Sequence, residues 1–152
     1  MTVRLAVSAA VRADPGRVWS ELTDWAGQSR WIPFTTVRAA GATTGIGVRV
    51  TALSGFWLAR LPVGLLDRFI VTDWRPPDDE PGRLEVLHLG PYFTGPGVFT
   101  VVPGDGATRI ECVELFDLPA GRITEVPVRL LLPVMRRGFG ESLRRLAAIC
   151  ES

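Results

Sequence analysis

Lysine and asparagine are absent from this sequence, and histidine and tyrosine occur once each, as His88 and Tyr92. All 17 basic residues are therefore arginines, which reads as coding bias rather than chemistry. The missing lysine excludes a Schiff base and every other lysine-dependent mechanism. One imidazole and one phenol leave a thin supply of general acids and bases. The two cysteines, Cys112 and Cys150, are too few for a disulfide scaffold and, with one histidine, too few for a convincing metal-ligand set. They are expected to be free thiols of a cytoplasmic chain, and nothing in the sequence supports a disulfide between them. No apolar run approaches the roughly 18 residues that mark a membrane span. The short apolar start alternates, with Val3, Leu5 and Val7 set against Arg4, Ala6 and Ser8, which is strand patterning rather than a signal peptide. The formal charge of +1 is too small an excess for a dedicated nucleic-acid binder.

What is present suits a single globular domain over residues 1–152, with 47% apolar and 22% charged residues. A strand is expected over 2–12. Asp14-Pro15 then supplies an N-cap with proline at the first helical position, opening a short helix over 15–22 with Val18, Trp19, Leu22 and Trp25 at helical spacing. A second short helix is expected from Asp24 to Trp31, stopped by Pro33. Strands are expected at 35–40, 46–53, 66–75, 83–89, 96–102 and 108–117, separated by glycine- and proline-rich turns, so they should form an antiparallel meander. The apolar, irregular stretch Ser54 to Leu65 reads as a long loop. The C-terminal segment reads as a helix with one stripe of Val128, Leu131, Met135, Phe139, Ser142, Leu146 and Ile149. Pro133 should kink or restart that helix, and Gly138 and Gly140 should let it approach the sheet closely. Arg136, Arg137, Arg144 and Arg145 read as a solvated face, with Glu141 four residues from Arg137 and from Arg145. The expected class is α+β: a curved seven-stranded antiparallel sheet, two short helices after the first strand, and a long C-terminal helix laid across a hollow.

This order resembles the SRPBCC or START-like helix-grip superfamily, which includes the birch-pollen allergen fold and bacterial polyketide cyclases. The residues that carry the resemblance are Ala13 through Trp19, Trp25, Trp31-Ile32-Pro33, Asp73-Trp74-Arg75-Pro76-Pro77, Gly95 through Val101, Thr108-Arg109 with Glu114, and Gly138-Phe139 with Ser142-Leu143. Together they look like the polyketide cyclase/dehydrase branch common in actinobacteria. The resemblance implies a central apolar cavity, and no cofactor is expected. Its members include lipid carriers, receptors and cyclases, so it does not fix one function.

Strand residues Thr108, Ile110, Cys112, Glu114 and Phe116 share a face, and their neutral, bulky character makes it the helix-facing one. Glu114 would then enter the cavity as a general acid/base or a ligand anchor; the plainer reading is a structural ion pair with an arginine. His88 shares its face with Leu84 and Val86 and is a candidate proton shuttle or ligand contact, against the plainer reading of a satisfied core histidine. Tyr92 completes the candidate catalytic set. Trp31, Phe34, Phe56, Trp57, Phe69, Phe99, Cys112, Phe116, Met135 and Phe139 are the further candidates for the ligand lining, against ordinary core packing. Gly41, Gly45 and Gly47 make no phosphate cradle, and Ser142 with His88 makes no nucleophilic triad. The expected function is binding of a small hydrophobic molecule such as a lipid, polyketide or isoprenoid. The alternatives are a polyketide cyclase or aromatase, and a protein-interaction module with no ligand. Ligand identity and oligomeric state are not legible.

Overall fold

The computed structural model describes residues 2–58 and 60–152, the side chains of 56–58 excepted. Its elements are β1 (Thr2–Val11), α1 (Pro15–Thr23), a 3-10 helix (Ala26–Arg30), β2 (Thr35–Ala40), β3 (Arg49–Leu58), β4 (Leu61–Arg75), β5 (Gly82–Leu89), β6 (Thr94–Val102), β7 (Thr108–Asp117) and α2 (Arg122–Cys150). The strands form one sheet in the order β1-β7-β6-β5-β4-β3-β2, and each neighbouring pair is antiparallel. This is the helix-grip arrangement. It follows from a meander whose first strand, carried away by two short helices, returns to pair with the last.

Local chemistry explains the boundaries. The Asp14 side chain accepts the Arg17 N–H at 2.9 Å and Pro15 opens α1, as a capped start requires. Val18, Trp19 and Leu22 form its buried face. The second helical piece is a short 3-10 turn rather than an α-helix over 24–31. Gln28 closes it by donating from Nε2 to the Leu22 carbonyl at 2.8 Å, and the buried Glu21 pairs with Arg30 at 2.7 Å.

Three expectations are corrected. Ser54 to Leu65 is not a long loop: its ends continue β3 and β4 as one hairpin, in register from Ser54↔Leu65 and Gly55↔Gly64 to Leu58↔Leu61. Two glycines and Pro62 mask the alternation there, while the ladder supplies the backbone partners. Of the kink or restart expected at Pro133, the restart does not occur: α2 runs unbroken through Pro127 and Pro133. Both prolines and Arg129 lie on the exposed side, where a carbonyl released by proline can bond to water. Gly138 and Gly140 do not mark a close approach to the sheet: a Cβ at Gly138 would meet open space, and one at Gly140 only Arg144 Nη1 at 3.7 Å.

The core explains why α2 bridges a hollow. Its C-terminal half is anchored by Leu143, Leu146, Ala147 and Cys150 in the main cluster with α1 and the sheet. Its earlier turns touch a smaller cluster of Val3, Leu5 and Phe116, through Val128, Leu132, Met135 and Phe139, and of these four only Phe139 also packs on the main cluster. The inward stripe thus passes through Leu132 rather than Leu131, which is exposed with Ile123, Val126, Leu130 and Val134. On the outer side Glu141 pairs with Arg144 and Arg145 and not with Arg137. No helix among the described residues is long and apolar enough to cross a membrane.

Candidate functional site

Between the inner face of the sheet and α2 lie two chambers that share the lining residues Trp31, Ile32, Thr35, Ser54, Phe99 and Phe139. The inner chamber, about 240 Å³, reaches from Trp25 and Phe69 to His88, Phe93, Glu114 and Phe116. The outer one, about 320 Å³, is roofed by Met135, Gly138, Phe139 and Leu143 of α2. It runs out to the exposed Gly138 and half-buried Pro33. The glycine expected to bring helix and sheet together instead leaves room at this opening.

Strand alternation aims the polar floor. On β7 the buried positions are Thr108, Ile110, Cys112, Glu114 and Phe116, and on β5 they are Gly82, Leu84, Val86 and His88. His88 lies between two carboxylates: Nδ1 is 2.9 and 3.0 Å from the Asp67 oxygens, and Nε2 is 3.1 Å from Glu114 Oε2. Burial works against the charged imidazolium, but the hydrogen bonds and charges of Asp67 and Glu114 outweigh it and lift His88 to about 9. Glu114 also accepts the Cys112 thiol at 3.7 Å, and burial followed by this carboxylate pushes that thiol well above its ordinary range. Gly97 faces Glu114 across the β6–β7 ladder. A Cβ at 97 would stand 2.4 Å from Glu114 Oε2 and 2.7 Å from Oε1, so the missing side chain makes space for the carboxylate. Around this polar group Phe69, His88, Phe93 and Phe116 follow one another with ring centroids 5.7, 5.1 and 5.1 Å apart. Among the described residues the buried Trp31 indole N–H has no hydrogen-bond partner.

Of the expected site residues, Trp31, Phe69, His88, Phe99, Glu114 and Phe116 line the inner chamber, and Met135 lines the outer. Phe139 lines both. Tyr92 does not reach either chamber; it is half exposed just beyond β5. Phe34 does not either: its backbone is left-handed, with φ 57°, and the residue is 83% exposed. Cys112 is buried behind Glu114 rather than in the lining, and the arginine partner considered for Glu114 is replaced by His88. The contacts expected of Phe56 and Trp57 fall on side chains outside the described residues. Sequence reasoning misses Asp67, although its alternation with Phe69 and Val71 on β4 carries the signal. Phe93, one of the aromatics that the sequence places at the β5–β6 hairpin as ligand contact area, lines the inner chamber.

The profile of the family described as polyketide cyclase / dehydrase and lipid transport matches residues 2–151. No curated protein matches the sequence. Among solved structures, the Thermus thermophilus protein TTHA0849 is similar at 17% identity and a TM-score of 0.73, over 96% of this chain and 95% of that one. The Zhui aromatase/cyclase from Streptomyces sp. R1128 is similar at 17% identity and a TM-score of 0.72, over 99% and 94%. The Helicobacter pylori protein jhp0584 is similar at 15% and 0.72, over 97% and 88%. At such identities the likeness is one of fold. With the profile matched along nearly its whole length, this chain belongs to the polyketide cyclase / dehydrase and lipid transport family.

Proposed function

We propose that this protein binds a small apolar molecule, of lipid, polyketide or isoprenoid type, in the cavity between sheet and α2, as a cytoplasmic carrier or receptor. The observation that carries this reading is the pair of chambers lined mostly by aromatic and aliphatic side chains, with one compact polar cluster at the floor. A concave apolar site with a few convergent polar groups is the usual form of a small-molecule site. Its test is uptake of the neutral dye N-phenyl-1-naphthylamine. The dye should brighten with the natural protein. It should stay dark with Ala52→Phe, which fills the inner chamber, provided that variant keeps its circular dichroism. No brightening with the natural protein would overturn the reading. Native mass spectrometry of gently purified protein should also show a retained small-molecule mass.

A second reading, cyclase or aromatase chemistry on a polyketide, is favoured by the His88–Glu114 contact at the cavity floor. A carboxylate hydrogen-bonded to an imidazolium is a proton-transfer pair, and the chambers would hold a long chain in one orientation. On this reading Glu114→Gln abolishes turnover while the fold survives; unchanged turnover removes Glu114 from the mechanism. Tyr92, outside the chambers, has no support as a third catalytic group. An interaction module with a collapsed interior is the least supported reading, because the interior is open.

A further inference from the structure

The polar groups of the cavity floor are unequal in what they leave free. Both ring nitrogens of His88 are engaged, one by Asp67 and the other by Glu114. What remains open to a ligand is acceptor capacity on the carboxylates. Among the described residues Glu114 Oε1 receives only the weak thiol contact at 3.7 Å, and the two Asp67 oxygens share a single N–H. The hydroxyl donors of the lining are already occupied: Thr35 bonds to the Pro33 carbonyl and Ser54, and Ser142 to the Gly138 carbonyl. Gln28 gives one N–H of its amide to the Leu22 carbonyl, so its second N–H and the Trp31 indole N–H are neutral donors only. Two carboxylates around one imidazolium also leave one net negative charge. Among the described residues no arginine lines either chamber. A carboxylate ligand would therefore be buried beside like charge without a free cation, which is strongly unfavourable. A neutral hydroxyl or phenol meets an ionised acceptor, the stronger kind of hydrogen bond.

We propose that the Asp67–His88–Glu114 cluster makes this cavity selective for neutral apolar molecules that carry a hydroxyl or phenol donor, and that it turns away the matching carboxylates. The proposal rests on the cavity being a ligand site. Three ligands with one ring system separate the two claims by calorimetric titration at neutral pH: naphthalene, 2-naphthol and 2-naphthoate. The natural protein should bind 2-naphthol roughly tenfold more tightly than naphthalene, the scale of one charge-assisted hydrogen bond. 2-Naphthoate should bind at least about tenfold more weakly than naphthalene. Glu114→Gln removes one negative charge at nearly constant shape, so it should weaken 2-naphthol and strengthen 2-naphthoate. Asp67→Asn should also strengthen 2-naphthoate. If naphthalene and 2-naphthoate bind the natural protein equally well, the selectivity is overturned while the cavity reading stands. If none of the three binds, the cavity reading itself falls and takes the selectivity with it. The comparison within the natural protein needs no variant, so a Glu114→Gln protein that fails to fold leaves the test intact.

Discussion

At the scale of single residues, His88 is the point on which the floor turns. Its imidazolium is stabilised by Asp67 and Glu114 against burial, and its value rises from the ordinary 6.5 to about 9. A group raised on folding binds its proton more tightly in the native state. Its stabilisation is complete below about pH 6.5 and is lost as pH rises through about 9. A lift of this size corresponds to roughly 3 kcal/mol. Urea midpoints are expected to fall between these pH values in the natural protein and to lose that slope in His88→Gln. Because the chain has one histidine, its imidazole resonance can be followed alone by NMR. Gly97→Ala provides the sharper test: the new methyl displaces the end of a flexible Glu114 side chain rather than backbone. The fold should survive while the His88 titration moves down toward the ordinary value. An unmoved titration would mean that Asp67 alone holds the proton.

At the scale of elements, the two halves of α2 have different tasks. The C-terminal half is clamped by Leu143 and Leu146, each worth roughly 1.5–3 kcal/mol of burial. The N-terminal half carries Pro127 and Pro133 and lies partly free above the outer chamber. Pro133 lacks the N–H that would bond to the Arg129 carbonyl, so Pro133→Ala should raise stability by about 1–3 kcal/mol in urea unfolding. An unchanged midpoint would mean that water already satisfies that carbonyl in full. Period-two patterning makes most of the strands legible in the sequence, including the inward aim of His88 and Glu114. It fails at the β3–β4 hairpin, where Gly55, Pro62 and Gly64 weaken the pattern that the ladder restores. Helical spacing places Leu131 on the buried stripe instead of Leu132, because steps of three and four both fit a helix from Val128.

At the scale of the whole molecule, binding and folding are linked through the same cavity. A ligand held only by the native state should raise Tm with the logarithm of its free concentration over Kd, reaching about 2.7 kcal/mol of stabilisation at roughly a hundredfold excess. Thermal unfolding with 2-naphthol is expected to show this rise, and Ala52→Phe to abolish it. The sequence by itself determined the element order, the antiparallel meander and the inner faces of β5 and β7, because these follow from local periodicity and from turn and cap residues. Only the tertiary structure decided that Asp67, His88 and Glu114, on three different strands, meet at one floor. It also decided that Gly97 makes room for them, and that Phe34 and Tyr92 stand outside. Register across neighbouring strands and the backbone angle at Phe34 fix those distances, and neither is written in the spacing of residues along one strand.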